Sequence, residues 1–162
     1  MTGELTVRPV RSGEREAWEP LWQGYLTFYR ATLAAGVTDA TWRRFLDPLE
    51  PLGAVVAERD GRLIGFAHYL LHRSTWAPVC YCYLEDLFVD PAARGRGVGR
   101  RLLADLEARA EAVGYREVWL ETGTEQPEAI ALYVRSGYVP IPPYGEFEHD
   151  PGSRCYRRTL AT

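Results

Sequence analysis

The stretch that decides the fold runs from Tyr83 to Leu103 and reads Tyr-Leu-Glu-Asp-Leu-Phe-Val-Asp-Pro-Ala-Ala-Arg-Gly-Arg-Gly-Val-Gly-Arg-Arg-Leu-Leu. We predict that its first seven residues form a strand. Asp90-Pro91 ends that strand, because proline supplies no backbone donor and restricts the residue before it. Beyond the glycines we predict a helix, because apolar residues recur at the spacing of one helix face: Val98, Leu102, Leu106, Ala110 and Val113. Gly114 is a suitable end for this helix.

The turn between strand and helix, Arg94-Gly-Arg-Gly-Val-Gly99, has side chains that are mostly absent or cationic. Backbone N–H groups can approach a ligand closely in such a turn, and the start of a helix favours an anion such as a phosphate. The arginines of residues 94–101 add charge, and a guanidinium group can hold two phosphate oxygens at once. The alternative is a glycine-rich turn followed by a solvated arginine face.

Two familiar phosphate-binding loops fit poorly. The loop of nucleotide hydrolases needs a lysine after its glycines, and this chain contains no lysine. The dinucleotide-binding fingerprint needs Gly-x-Gly-x-x-Gly near the start of its βαβ unit, whereas Gly95, Gly97 and Gly99 have another spacing and lie in the middle of the chain.

A third pattern fits better. The spacing Arg94-x-x-Gly97-x-Gly99, after a strand that ends Leu-Phe-Val-Asp-Pro, resembles the acyl-CoA pyrophosphate loop of the GNAT superfamily of N-acetyltransferases. A second block, Gln126-Pro-Glu-Ala-Ile-Ala-Leu-Tyr-Val-Arg-Ser-Gly-Tyr138, is similar to the superfamily's late helix with its tyrosine and Gly-Tyr turn. The resemblance spans residues 4–160, and residues 83–89 more narrowly resemble a strand of the diamine (spermidine/spermine) acetyltransferases.

The predicted order of elements is strand, helix, helix, three strands, helix, strand, helix, two strands. It indicates an α/β (α+β) fold, with a central mixed, mostly antiparallel sheet of about seven strands flanked by about four helices. The resemblance implies the same architecture, as one N-acetyltransferase domain over residues 1–162. Among the details, an apolar stripe predicts a helix over Ala17–Tyr29, Thr38 or Asp39 is expected to cap the next helix, and the turn at Asp60-Gly61 predicts a hairpin.

The resemblance also implies a cofactor site for acetyl-CoA. Its pantetheine maps to Leu87, Phe88 and Val89, and its pyrophosphate maps to the glycine-rich loop. Gln126 stands where members of the family commonly have an asparagine that helps to hold the cofactor. The remaining implied contacts are Arg94, Gly95, Arg96, Gly97, Val98, Gly99, Arg100 and Tyr133.

Acetyl transfer to an amine needs a proton donor for the leaving thiolate and a base for the ammonium form of the acceptor. Tyr133 is the candidate acid, and a core tyrosine is the alternative reading. Glu85 is the candidate base, acting through a water molecule. Asp86 follows it on the opposite face of a regular strand and is the second candidate. Both carboxylates could instead be surface groups or partners of arginines.

The acceptor is expected to be a primary amine of a small molecule, such as a polyamine, an amino acid or an aminoglycoside. Carboxylates could attract a cation and aromatic rings could wall its pocket; the candidates are Glu85, Asp86, Glu146, Glu148, Asp150, Tyr25, Tyr29, Trp76 and Tyr144. Two other functions stay open: a protein or peptide N-acetyltransferase, and an acyl-CoA-binding regulatory module without turnover.

Composition narrows the partners and the location. The net charge of −3 and the pI of about 5.7 give no electrostatic case for nucleic acid or an anionic membrane. No apolar run has the length of a membrane span, so we expect a cytoplasmic enzyme. Cys80, Cys82 and Cys155 suggest buried free thiols, and His68 with His72 suggest ordinary polar strand residues; no metal is expected. The resemblance makes a homodimer possible.

Overall fold

The computed structural model describes residues 3–78 and 81–161, which form four α-helices and a seven-stranded sheet. The strand order is β1-β2-β3-β4-β5-β7-β6. Strands β4 and β5 are parallel, whereas β1/β2, β5/β7 and β6/β7 are antiparallel, so the predicted fold is confirmed. The elements are β1 (Thr6–Pro9), α1 (Arg15–Phe28), α2 (Val37–Leu46), β2 (Leu52–Arg59), β3 (Arg62–Leu71), β4 (Cys82–Val89), α3 (Val98–Ala112), β5 (Glu117–Gly123), α4 (Pro127–Arg135), β6 (Val139–Ile141) and β7 (Ser153–Thr159).

The described residues group into two compact units. The first unit comprises those within Met1–Tyr69 and Asp86–Leu106, and the second comprises those within Leu70–Glu85 and Glu107–Thr162. Strand β4 supplies residues to both, because the division falls after Glu85. The expectation of one domain over residues 1–162 stays a prediction.

The core of the first unit is aromatic. One face of α1 is buried against side chains of β2, β3 and β4, as its helical spacing predicts. Trp18 lies at the centre of this cluster and stacks on Trp22, with ring centroids 5.8 Å apart. The other buried members are Leu21, Leu26, Trp42, Val56, Phe66 and Phe88. This packing fixes the inner faces of β3 and β4, which carry part of the candidate site.

The hairpin of β2 and β3 closes as predicted. Asp60 and Gly61 connect the strands, with φ angles of 52° and 73°. Two consecutive left-handed residues match the twist of the flanking strands, which explains the Asp-Gly sequence.

The second unit is organised by a buried carboxylate. Glu107 of α3 accepts a hydrogen bond of 3.0 Å from the hydroxyl of Tyr138 and a second bond from the guanidinium group of Arg158. Burial raises the pKa of Glu107, while the charge of Arg158 and both hydrogen bonds oppose that shift. The three residues connect α3, the turn between α4 and β6, and β7.

Several local predictions are wrong. The N-cap of α2 is Gly36 in a left-handed conformation. Thr38 instead accepts a hydrogen bond from the indole of Trp22, and Asp39 pairs with Arg15. Helix α3 ends at Ala112, so Val113 is exposed rather than part of the apolar face. Strand β3 ends at Leu71, so His72 lies outside it. The sequence also predicts that the central strand begins at Val79, but residues 79 and 80 lie outside the described residues.

Candidate active site

The glycine-rich turn of the first unit has the geometry of an anion site. Gly95 and Gly97 have left-handed φ angles of 73° and 77°, and α3 begins at Val98. No described atom would lie within 4 Å of a Cβ added at either glycine. The N–H of Arg101 bonds to the carbonyl of Gly97 at 3.0 Å, so the N–H groups of residues 98–100 precede the first turn of helical hydrogen bonds. Such donors and the helix dipole favour a phosphate.

Arginine side chains surround this turn in two different ways. Arg94 is held at the end of β4, where its Nε donates to the carbonyl of Val89 at 2.9 Å and its guanidinium group lies 5.5 Å from the ring centroid of Phe88. Arg96 and Arg100 are exposed to solvent. The open backbone and the exposed cationic side chains fit the diphosphate of an acyl-CoA molecule.

The end of β4 lies beyond its pairing with β5. The parallel register joins residues 82–84 of β4 to residues 118–120 of β5. Leu87, Phe88 and Val89, the residues implied to contact pantetheine, follow that register along β4. Phe88 is buried in the aromatic core of the first unit, so its contribution to a ligand would come from its backbone.

Asp86 and His68 meet within the first unit. An oxygen of the Asp86 carboxylate lies 2.9 Å from Nδ1 of His68. His68 is 3% exposed, and burial lowers its pKa while the carboxylate acts in the opposite direction. The prediction that His68 is an ordinary polar strand residue is therefore wrong. Its position two residues beyond Phe66, on the buried face of β3, is the sequence signal that could have revealed this.

The other candidates belong to the second unit. Glu85 is exposed on β4. Tyr133 of α4 is 6% exposed, and its ring meets that of Tyr138 edge-on with centroids 5.8 Å apart. Gln126 precedes α4 and accepts the N–H of Ile130 at 3.0 Å through its backbone carbonyl. Thus residues 86–100 and the group of Glu85, Gln126 and Tyr133 lie in different units.

The second unit also carries aromatic and acidic groups proposed for the acceptor pocket. Tyr144 lies next to Trp119, with ring centroids 5.2 Å apart, and burial raises the pKa of Tyr144. Burial likewise raises the pKa of Glu121, and the charges of Asp150 and Glu146 add to that shift. Trp76 and Glu148 are exposed, and Tyr25 and Tyr29 belong to the first unit. Glu121 is not among the residues predicted from the sequence, because it lies on β5, away from the recognised blocks.

Comparisons with known proteins establish the family. The model of the acetyltransferase (GNAT) family matches residues 15–138. A D-amino-acid N-acetyltransferase of Saccharomyces cerevisiae is 35% identical over 136 residues, which cover 83% of this chain and 84% of that protein. A phosphinothricin N-acetyltransferase of Alcaligenes faecalis is 35% identical over 140 residues, covering 83% of this chain and 70% of the relative. The chain therefore belongs to the GNAT family of acetyltransferases.

A solved structure agrees on the fold. The PaiA N-acetyltransferase of Thermoplasma acidophilum, determined in complex with coenzyme A, aligns with a TM-score of 0.71 and 14% identity over 97% of this chain and 99% of that one. With the family established, the protein is an acetyl-CoA-dependent N-acetyltransferase. The narrower similarity to diamine acetyltransferases stays a prediction.

Three further properties concern membranes, metals and thiols. No helix within residues 3–78 and 81–161 is long and apolar enough to cross a membrane. The same residues contain no group of three or more His, Cys, Asp or Glu side chains that could hold a metal ion. Cys82 and Cys155 are buried free thiols, as predicted, and Cys80 lies outside the described residues.

Proposed function

We propose that this enzyme transfers the acetyl group of acetyl-CoA to a primary amine of a small molecule by direct attack of that amine. The observation that carries the proposal is the length and identity of its similarity to two N-acetyltransferases named for D-amino acids and for phosphinothricin. The carboxylates of Glu85 and Asp86 support it, since both lie on β4 and negative charge attracts an ammonium group.

In this proposal the first unit holds most of the acetyl-CoA molecule. The backbone N–H groups between Gly95 and Arg100 bind the diphosphate, and Arg94, Arg96 and Arg100 neutralise its charge. The backbone of residues 87–89 bonds to pantetheine. Gln126 of the second unit is a further residue that the family resemblance implies for the cofactor. The left-handed turn and the exposed guanidinium groups support these assignments.

The proton transfers are assigned to the second unit. Glu85 accepts a proton from the acceptor ammonium through a water molecule, and the neutral amine then attacks the carbonyl carbon of the thioester. A C–N bond forms and the C–S bond breaks, the nitrogen loses its second proton to solvent as the amide forms, and Glu85 returns its proton to solvent. Tyr133 donates its phenolic proton to the departing thiolate and is reprotonated from solvent; a phenol has an ordinary pKa near 10, close to that of a thiol. Because Tyr133 is also buried, the variant below distinguishes proton transfer from packing.

The test follows CoA release from acetyl-CoA with a panel of polyamines, amino acids, aminoglycosides and a lysine-containing peptide. We expect release that depends on a small amine, and a loss of at least about tenfold in kcat for Tyr133→Phe and Glu85→Gln, equivalent to about 1.4 kcal/mol of barrier. Tyr115→Phe is the matched control, because Tyr115 is a similarly buried tyrosine of the second unit without a proposed role. The lysine-free chain removes self-acetylation of side-chain amines as a background.

Turnover with the peptide alone would replace the small-molecule proposal with a peptide acetyltransferase. Unchanged kcat in Tyr133→Phe would remove Tyr133 as the acid. The homodimer and the cytoplasmic location stay predictions, and light scattering in solution tests the first of them.

A further inference from the structure

The surroundings of His68 are apolar and aromatic. Its ring lies within a cage of four aromatic side chains in the first unit. The ring centroids lie 4.2 Å from that of Phe66, 4.5 Å from Phe45, 5.3 Å from Trp22 and 5.8 Å from Trp18. An aliphatic side chain would fill this cage without burying two ring nitrogens, so the imidazole requires an explanation beyond packing.

The hydrogen bonds of His68 define its protonation state. Nε1–H of Trp18 points to Nε2 of His68 at 3.0 Å. An indole nitrogen can only donate, so Nε2 is the acceptor and carries no proton. The single proton of the neutral ring is then on Nδ1, which donates to Oδ2 of Asp86 at 2.9 Å. The lowered pKa that burial gives His68 is consistent with this neutral tautomer.

The charge of Asp86 is not cancelled by this contact. No arginine forms an ion pair with Asp86 among residues 3–78 and 81–161, and its hydrogen-bonding partner His68 is neutral. The side chain of Asp86 is 14% exposed to solvent. One oxygen is thus fixed by a buried donor while the carboxylate retains a negative charge and access to solvent.

We propose that His68 is a positioning residue, which orients Asp86 so that its other carboxylate oxygen binds the ammonium group of the acceptor. Trp18 contributes by fixing the tautomer that donates to Asp86. This inference rests on the proposed function, because it needs an amine acceptor next to β4. It assigns to Asp86 the binding of the amine and does not depend on which group removes the proton.

Two variants separate orientation from packing. His68→Leu fills the cage but donates nothing to Asp86. His68→Asn places an amide N–H donor at the same distance from the backbone as Nδ1. Phe45→Leu is the matched control, because it removes a ring of the same cage that does not bond to Asp86. For each variant we would measure KM for the amine, KM for acetyl-CoA, kcat and the free energy of unfolding.

We expect His68→Leu to raise the KM for the amine at least about tenfold, with the KM for acetyl-CoA changed less than about twofold. His68→Asn should recover most of that loss. Phe45→Leu should lower the free energy of unfolding and leave the KM for the amine unchanged. In an Asp86→Asn background, His68→Leu should cause little further change, because the two residues act as one unit.

Equal effects of His68→Leu and Phe45→Leu on the amine KM would overturn the inference, as would additive effects of His68→Leu and Asp86→Asn. In both cases wild-type turnover with the small amine would leave the proposed function intact. Absence of turnover with every amine of the panel would instead overturn the proposed function, and the inference with it.

Discussion

Replacing Gly97 by alanine tests whether the glycine-rich turn binds the diphosphate of acetyl-CoA. Gly97 has a φ of 77°, a conformation that costs a residue with a Cβ about 1–2 kcal/mol. No described atom would touch the added methyl group, so the penalty comes from the backbone alone. If the free turn relaxes to relieve this strain, acetyl-CoA must restore the left-handed conformation when it binds. The full penalty then appears as a Kd about 5- to 30-fold higher.

The hairpin between β2 and β3 offers a matched control. Gly61 has a φ of 73° and equally open surroundings among the described atoms, but it has no proposed role. Gly61→Ala should lower the free energy of unfolding by about 1–2 kcal/mol without changing the Kd for acetyl-CoA. Isothermal titration calorimetry with acetyl-CoA and urea unfolding of both variants measure the two quantities.

The reasoning would be refuted if Gly97→Ala bound acetyl-CoA as tightly as the wild type while losing as much stability as Gly61→Ala. That result would mean that the turn is held in its left-handed form by the fold. An equal rise in Kd for both variants would show that the effect is not specific to the turn.

Three more predictions concern stability and reactivity. Gly65→Ala should lower the free energy of unfolding, measured in urea, by about 1–3 kcal/mol, because its Cβ would lie 2.8 Å from a backbone oxygen of β4. In the control Gly13→Ala the added Cβ would contact no described atom, so the free energy of unfolding should hardly change. The hydrogen bond from Arg8 lowers the pKa of Glu14, so this pair stabilises the protein above the unfolded pKa of 4.5. The stabilisation is lost as pH falls through the lower pKa of the folded state. The difference in unfolding free energy between the wild type and Arg8→Gln, measured in urea, should therefore shrink between pH 6 and about pH 3. Burial raises the pKa of Cys82 to about 12, so mass spectrometry should find it unmodified by iodoacetamide at pH 8 until the protein is unfolded.

Each of these has a contradicting result. Equal stability of the two glycine variants would mean that β4 moves to accept the new methyl group. A stability difference that grows on acidification would reverse the assigned sign of the Arg8 interaction. Rapid alkylation of native Cys82 would show that its strand opens on the time scale of the labelling.

The fold was predictable because its signals are local. The Asp60-Gly61 turn, the break at Asp90-Pro91 and the glycine after α4 each act through the backbone of one or two residues. Helical spacing likewise identified the buried stripe of α1 that contains Trp18. The two stretches that resemble the GNAT superfamily also predicted the order in which the later helices and strands follow one another.

The interior of the candidate site was not predictable in the same way. Alternation along β3 places His68 on a face, but it does not say that Trp18 and Asp86 converge there from other parts of the chain. The predicted N-cap of α2 was wrong for a similar reason, since the side chains of Thr38 and Asp39 form tertiary contacts with Trp22 and Arg15. The preference of Thr and Asp side chains for capping a nearby helix is overridden when a distant residue forms a stronger hydrogen bond or ion pair with the same side chain.

The two-residue connection between β2 and β3 bears on the order in which the chain folds. Pairing across such a short loop needs little closure entropy, and isolated hairpins form in about 1–10 μs. The parallel strands β4 and β5 can pair only after α3, which connects them along the chain, has folded back over the sheet. We therefore expect β2 and β3 to gain protection from hydrogen exchange first during refolding, and pulse labelling that found β5 protected earlier would contradict this order.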